Sequence, residues 1–447
     1  MQTNTERFKQ LLADNWDFQM RDNPIWATRT GDHRFNDKLG DNSEAAYQQR
    51  LIQYRDFQSQ ASEISRSDLG DEDQLNYDIY TRLLDNDIRG LEFYSYRFPI
   101  AKVGGVHTYL PNLQIMTPFS NIRDYENYIS RLNSIKLSMD QVIETMRAGL
   151  VEGQIPPRVT LEGVVDAIQT QIVENTEESV FFRPFKDIPT SIPEFQQVKL
   201  FEAGKKAIEK SVIPAYKALK TFVKYEYLPQ ARESIAASDL PDGEAYYEYL
   251  IQYFTSLPLT AEEVHKTGLN EVARIRAEME AVIAETGFEG NFKSFVEFLR
   301  TDPRFYVDTP EELLKETGYL MKRIDGELPR LFKTLPRLPY GIREIPEFSA
   351  PGATTAYYNP GAGDGTIAGF YYVNTYDLKS RPLYEMEALS MHEAVPGHHL
   401  QIALQQELDL PNFRRFRRFT AFVEGWALYS EKLGLEMGFY TDPYSNF

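Results

Sequence analysis

The segment MHEAVPGHHL, from Met391 to Leu400, contains three of the six histidines of this 447-residue chain. Pro396 cannot donate the helical hydrogen bond to the carbonyl of His392, and its ring would clash with that carbonyl. Gly397 permits unusual backbone dihedrals at the same point. A helix that enters this segment must therefore kink, bulge or restart at Pro396.

The residue types of this segment are typical of a zinc site. Zinc hydrolases bind the metal with two imidazoles on one side of a helix, and a glutamate next to the first histidine acts as the general base. His392 and Glu393 supply that start, but Pro396 stands where the second histidine usually lies. In an undistorted helix His399 would point nearly the same way as His392, about 10 Å further along the axis, and His398 about 120° away. The second ligand is therefore His398 or His399.

A surface cluster, or a capped break between two helices, is the alternative interpretation of these histidines. Under this interpretation, the adjacent Glu393 and the pair His398 and His399 would be coincidental. The segment is also flanked by Leu389 and Leu404, which should be buried. We therefore favour a metal site.

A second apolar segment, from Phe419 to Tyr429, contains one charged residue, Glu424. A lone carboxylate in a helix core is costly without a cation, and a catalytic zinc needs a third protein ligand. Glu424 is therefore the predicted third ligand, with an ion pair to the arginine-rich run Arg414–Arg418 as the alternative. Gly425 costs about 1 kcal/mol in a helix relative to alanine, which predicts close packing against the metal helix. Glu431 either orients a metal ligand or is a solvated helix residue.

The composition excludes several kinds of site and partner. The chain has no cysteine, so a metal must be held by nitrogen and oxygen atoms. With 66 acidic against 48 basic residues, its net charge of −18 argues against a nucleic-acid partner. No apolar run reaches the length of a membrane span, and the N-terminus lacks an apolar signal core. These features predict a cytoplasmic protein as the sequence stands, or an exported one if a signal segment was removed.

Most of the chain has helical periodicity. The predicted helices span residues 44–66, 71–95, 122–149, 159–175, 195–235 and 243–255. Capping residues at Thr260, Ser294 and Thr309 predict the starts of three more, and the helix after Thr260 is amphipathic. His33, His107 and His265 have no partner at ligand spacing, so we interpret them as ordinary residues.

The character of the sequence changes between Leu335 and Leu383. Prolines stop the helices there, and two strands are predicted at Thr354–Tyr358 and Thr366–Thr375, joined by the turn Asn359–Gly365. The predicted fold is therefore mainly α, a body of long helices with a small β-hairpin or sheet. Residues 1–334 form the body that walls a cleft, and residues 335–447 carry the hairpin and the metal-binding helices, packed as one unit with the rest.

Three of these motifs together resemble the bacterial domain of unknown function 885 family. They are the octapeptide His392–His399, the segment Asp364–Thr375 and the segment Glu424–Tyr429. The resemblance runs from about residue 5 to the end and includes Pro24–Asp32. That family is similar in turn to all-helical glutamate zincins, namely thermostable carboxypeptidases, oligopeptidases and peptidases of the angiotensin-converting type. The resemblance therefore implies a zincin-like body of long helices, with the small β-hairpin or sheet beside the metal-binding helix.

The resemblance implies further details of the site. It favours His398 as the second ligand because Gly397 precedes it, and it supports Glu424 as the third. It implies that a strand beside the metal helix binds the substrate backbone as an added strand. The candidate substrate-binding residues of that strand are Gly369, Tyr371, Tyr372 and Asn374. Family members continue well beyond the glutamate, which implies that this chain lacks a C-terminal segment.

The sequence therefore predicts a zinc-dependent hydrolase, a metallopeptidase acting on small peptides. His392, His398 and Glu424 would hold Zn²⁺, and Glu393 would be the general base. One alternative is a zinc hydrolase of a non-peptide amide. The other is a non-catalytic helical binding protein that retains the metal for structure. The sequence makes no prediction of the oligomeric state.

Overall fold

The computed structural model describes residues 2–447 and is mainly helical, with 68% helix and 4% strand, which confirms the predicted fold class. The chain divides into two compact units. Unit 1 is the chain up to Tyr246 together with Pro411–Phe413, and unit 2 is Tyr247–Leu410 together with Arg414–Phe447. The helices between residues 261 and 331 thus belong to the same unit as the sheet, whereas the sequence interpretation grouped them with residues 1–334.

Unit 1 is an assembly of helices around a long central one, α7. Its helices are α1 (Asn4–Asp22), α2 (Pro24–Thr30), α3 (Glu44–Ser62), α4 (Asp71–Glu92), α5 (Val106–Tyr109), α6 (Leu113–Met116), α7 (Ile122–Val151), α8 (Val164–Gln169), α9 (Arg183–Lys186), α10 (Glu194–Ala207), α11 (Ile213–Phe222) and α12 (Gly243–Thr255), the last of which crosses the division between the units. A short antiparallel pair joins β1 (Ile100–Ala101) to β2 (Gly104–Gly105).

Two helix predictions in unit 1 differ from the structure in instructive ways. The helix predicted over 195–235 is nearly continuous to Tyr227, because π-helical turns at Ile208–Val212 and Val223–Tyr227 join and extend α10 and α11. The prediction of one helix over residues 159–175 is wrong. Gly163 adopts a left-handed conformation with φ of 76°, which separates a 3-10 turn from the short α8.

Unit 2 combines the remaining helices with a three-stranded sheet. Its helices are α13 (Ala261–Glu285), α14 (Phe292–Thr301), α15 (Pro310–Leu331), α16 (Met386–Glu393), α17 (His398–Glu407), α18 (Asn412–Phe416), whose first two residues belong to unit 1, α19 (Thr420–Glu436) and α20 (Pro443–Asn446). Their packed core is formed by α15, α16, the sheet and the residues after α19.

The capping predictions in unit 2 are confirmed at two helices and wrong at one. At Thr260 and Thr309 the hydroxyl accepts a hydrogen bond from the backbone N–H three residues on, and the glutamate there accepts one in return. The third helix begins earlier than predicted, because the side chain of Asn291 accepts a bond from the N–H of Ser294 at 3.0 Å. Asparagine is as good an N-cap as serine, so the earlier residue caps α14.

The sheet has the strand order β3-β5-β4, with β3 (Tyr340–Glu344), β4 (Ala356–Asn359) and β5 (Gly369–Val373). The predicted hairpin is present, since β4 and β5 pair antiparallel. The sequence interpretation missed β3, which pairs parallel with β5, with Tyr340 opposite Gly369 and Glu344 opposite Val373. The strand β5 therefore lies in the middle of the sheet and β4 lies at an edge.

Candidate metal centre

The metal helix is interrupted where the sequence predicts. The helix α16 ends at Glu393 and α17 starts at His398, with a tight turn over residues 394–397. The N–H of His399 donates across this turn to the carbonyl of Ala394 at 2.9 Å. A Cβ on Gly397 would lie 1.9 Å from the carbonyl oxygen of His392, so the turn requires glycine.

Three side chains converge beside this turn. The imidazoles of His392 and His398 and the carboxylate of Glu424 each offer one ligand atom, and these atoms all lie within 4.8 Å of one another. Glu424 Oε2 lies 3.4 Å from His392 Nε2 and 3.7 Å from His398 Nε2. The structure thus brings together the predicted pair and the predicted third residue, although their binding of zinc stays a prediction.

The geometry and the chemistry of these three groups fit a zinc ion. Ligand atoms 2.0–2.1 Å from a tetrahedral zinc lie about 3.3 Å apart, close to the two separations given above. Burial lowers the pKa of His398 to about 4, which leaves its imidazole neutral near pH 7. Two neutral imidazoles and one carboxylate are a common set of protein ligands for catalytic zinc.

Glu431 lies behind the first histidine. Its Oε1 is 2.7 Å from His392 Nδ1. Glu431 lies about two helical turns after Glu424 in α19. This hydrogen bond raises the pKa of His392 and leaves Nε2 as the nitrogen that faces Glu424. Of the two roles that the sequence left open for Glu431, orientation of a metal ligand is the one this contact supports.

Glu393 is held by the neighbouring strand. The backbone N–H of Tyr358 in β4 donates to Glu393 Oε2 at 2.8 Å. Burial raises the pKa of Glu393, although the positive charge of His392 and the bond from Tyr358 counteract part of that rise. A carboxylate with a raised pKa next to a metal site is suited to accept and return a proton near neutral pH. Nothing local in the sequence indicated this contribution of Tyr358.

His399, the alternative second ligand, points away from the other two histidines. Its Nδ1 lies 2.8 Å from the hydroxyl of Tyr358, and its ring packs 4.8 Å from the ring of Tyr340. Burial lowers the pKa of His399 to about 4, and the backbone of Leu338 counteracts part of that fall. His399 thus fixes the side chain of the residue whose backbone holds Glu393.

The predicted substrate-binding edge, on the strand now identified as β5, is wrong because β5 is the middle strand of the sheet. The strand β5 and Asn374 after it are paired on both sides or buried, and the Asn374 amide donates to the carbonyls of Ala350 and Thr354. The strand β4 has the free edge, because the N–H of Tyr358 points away from β5 toward Glu393. Residues two apart on a strand face the same side, so the backbone of Ala356 faces that way too.

The glycine of α19 that packs closely against α16 is not the predicted one, Gly425. Nothing lies within 4 Å of a Cβ placed on Gly425, so its predicted packing against the metal helix is wrong. A Cβ on Gly434, by contrast, would lie 2.5 Å from the sulfur of Met391 in α16. The close packing against α16 therefore occurs at Gly434, nine residues after Gly425 in α19.

The three converging side chains line an open cavity of about 510 Å³, hereafter the metal cavity. Its wall also includes the segment from Thr354 to Tyr358, which leads into β4, the general-base candidate Glu393 and the side chain of Arg418. Glu424 keeps half of its side-chain surface exposed, 51%. The centre therefore has room for water and for an extended ligand beside the free edge of β4.

Comparisons with known proteins place the chain in a family. The family model described as bacterial protein of unknown function (DUF885) matches residues 24–447. None of the curated proteins compared with the chain matches it. In residues 2–447, no helix has both the length and the apolar character needed to cross a membrane.

Two solved structures have a similar fold. A putative lipoprotein from Colwellia psychrerythraea superposes with a TM-score of 0.91 at 24% identity, covering 99% of this chain and 80% of that one. A putative lipoprotein of unknown function from Shewanella oneidensis superposes with a TM-score of 0.63 at 19% identity, covering 98% and 79%. At these identities the likeness concerns the fold alone. Export of this chain stays a prediction.

Proposed function

The chain belongs to the bacterial family of unknown function DUF885, and we propose that it is a zinc-dependent hydrolase that cleaves small peptides. The observation that carries the proposal is the convergence of His392, His398 and Glu424, with Glu393 adjacent and held by the edge strand β4. The order of these residues along the chain also agrees with the resemblance to all-helical glutamate zincins.

His392, His398 and Glu424 would hold the zinc ion. When bound there, zinc supplies Lewis acidity, which polarises a carbonyl group and lowers the pKa of a water molecule toward neutrality. Glu431 fixes the ring of His392 through the 2.7 Å contact to Nδ1, so that Nε2 faces the other two ligands. His398 stays neutral because it is buried, so it needs no proton release before it can act as a ligand.

Glu393 is the proposed general base. Its raised pKa suits it to take a proton from water and to return it to the leaving amine. The N–H of Tyr358 holds one carboxylate oxygen, which leaves the second oxygen for the reaction. His399 supports this arrangement through the hydroxyl of Tyr358.

The free edge of β4 is the proposed binding surface for the peptide backbone. An extended peptide can add to an edge strand by main-chain hydrogen bonds, which bind regardless of side-chain identity. Ala356 lines the metal cavity two residues before Tyr358, which contacts Glu393. Its carbonyl accepts a hydrogen bond from the hydroxyl of Thr354 at 2.8 Å, so its N–H is the backbone group proposed to bind a peptide carbonyl. A peptide bound there would place a backbone carbonyl near the metal ligands.

The openness of the site favours catalysis over a structural metal. A structural zinc is enclosed by four protein ligands, whereas a catalytic zinc has three and an open position. Three side chains converge here, and Glu424 is half exposed on a cavity of about 510 Å³. These features disfavour the alternative of a non-catalytic binding protein.

The test is the Glu393→Gln variant assayed on a peptide library with measured zinc content. We expect cleavage to fall by about 10²–10⁴-fold, the usual contribution of a general base, while the zinc content stays that of the wild type. Glu436→Gln, an exposed acid on the same helix as Glu424, is the control and should keep full activity. Retained cleavage in Glu393→Gln would refute the assignment, and cleavage of N-acyl amides without cleavage of peptides would favour the amide hydrolase.

A further inference from the structure

A second cavity lies beside the metal cavity in unit 2. Its volume is about 550 Å³, and its wall shares Leu389, His392 and Glu393 with the metal cavity. These three residues form a common boundary on α16. A ligand bound at Glu393 can therefore extend from the metal cavity into this second one.

The wall of the second cavity combines apolar side chains with one cation. Val296 and Leu299 of α14 and Leu389 of α16 provide apolar surface. Arg300, also on α14, is the one Lys or Arg among the lining residues. Burial raises the pKa of Tyr384, and the nearby charge of Arg300 counteracts part of that rise, which places the guanidinium next to this cavity-lining ring.

The acidic side chains of this wall are already engaged elsewhere. Glu431 contacts His392, and Glu393 accepts the bond from Tyr358. Burial raises the pKa of Glu385, and the cation that counteracts this rise is Arg381. Within residues 2–447, Arg300 forms no salt bridge, so its guanidinium is available to a ligand.

We propose that the second cavity binds the C-terminal residue of a peptide, with its α-carboxylate on Arg300 and its side chain against the apolar wall. A guanidinium binds a carboxylate through two parallel N–H···O bonds, which gives both affinity and orientation. Val296, Leu299 and Leu389 favour a large apolar side chain at that residue.

This inference rests on the proposed function and specifies its substrate class. The peptide would run along β4 through the metal cavity, with its last peptide bond at the shared boundary near Glu393. Addition of one water molecule breaks the C–N bond of that amide. The products are a peptide with a new terminal carboxylate and a free apolar amino acid, so the activity is that of a carboxypeptidase.

The first test compares two peptides that end in phenylalanine, one as the free acid and one as the C-terminal amide. We expect the wild type to prefer the free acid in kcat/KM by about 10- to 100-fold, the worth of a charge-assisted hydrogen bond pair. Arg300→Gln should lose this preference mainly through a higher KM, and Arg300→Lys should retain part of it. Lys293→Gln, an exposed cation on the same helix that does not line the cavity, is the control.

Cleavage by the wild type without a free-acid preference would overturn this inference and leave the proposed function standing. A preference that persists in Arg300→Gln would overturn it as well. If the wild type cleaves neither peptide, the proposed function fails, and a binding measurement decides about the cavity. We expect 3-phenylpropanoate to bind the wild type about tenfold more tightly than Arg300→Gln at equal zinc content. Equal binding of this probe to both proteins would refute the carboxylate site.

Discussion

The contact between Glu431 and His392 allows a quantitative prediction about metal affinity. In Glu431→Gln the side chain keeps its size but loses its negative charge, so the 2.7 Å charge-assisted bond to His392 Nδ1 becomes a neutral one. Loss of such a carboxylate behind a histidine ligand typically weakens metal binding by 10- to 100-fold, which is about 1.4–2.7 kcal/mol. We expect the dissociation constant for zinc to rise by that factor.

The size of this effect should depend on pH in a defined direction. In the protein without metal, Glu431 raises the pKa of His392, so protons compete with zinc for His392 as the pH falls. In Glu431→Gln the pKa of His392 is not raised in this way, so protons compete less with zinc for its imidazole. The affinity difference between wild type and variant should therefore be larger at pH 8.5 than at pH 6.5, because protons compete less with zinc for His392 at the higher pH.

The assay is competition for zinc with a chromophoric chelator at several pH values. Glu436→Gln, which removes an exposed charge from the same helix, is the matched control and should bind zinc as the wild type does. Dissociation constants that agree within about twofold for Glu431→Gln and the wild type near pH 8.5 would refute the orienting role of Glu431.

Two further predictions concern the turn of the metal helix and a buried histidine in unit 1. Gly397→Ala should abolish tight zinc binding, because its Cβ would lie 1.9 Å from the carbonyl of His392, whereas Gly425→Ala, with open space around its Cβ, should bind zinc normally. Zinc content after dialysis measures both, and normal binding by Gly397→Ala would contradict the geometry of the turn. His107 is 1% exposed and burial lowers its pKa to about 4, so the unfolded chain, with a pKa near 6.5, binds more protons between these values. Stability should therefore fall by up to about 3 kcal/mol as the pH drops from 6.5 to 4, and His107→Phe should flatten this part of the dependence. Urea titrations across that range test it, and parallel curves for the two proteins would show that His107 is not responsible.

The sequence predicts those features that depend on neighbouring residues. The break at Pro396 follows from covalent geometry, and the caps at Thr260 and Thr309 follow from hydrogen bonds within one helical turn. The prediction of an N-cap at Ser294 is wrong because Asn291, three residues earlier, forms the same kind of hydrogen bond. Local rules thus find a helix start within a turn but do not decide between two competent caps.

The substrate edge could not be predicted from local patterns. The hairpin of β4 and β5 is visible as two runs of β-forming residues joined by a turn. Whether β4 or β5 lies at the edge depends on β3, which pairs with β5 and so places it in the middle of the sheet. The residues of β3 alternate too weakly between apolar and polar for the strand to be recognised, and β4 and a loop separate it from β5 in the sequence. Pairing between segments distant in sequence leaves no signal in either segment alone.

The residue types alone define the chemistry that is available at the candidate site. Without cysteine, a metal must bind nitrogen and oxygen, and Met391–Leu400 with Glu424 supplies those atoms in segments that are otherwise apolar. The directions of these side chains, in contrast, depend on how the helices and the sheet pack together. The turn over residues 394–397 directs His398 toward His392, whereas His399 contacts the hydroxyl of Tyr358. A turn of a few residues can rotate the next helix by any angle, and packing against the sheet and α19 selects one of them.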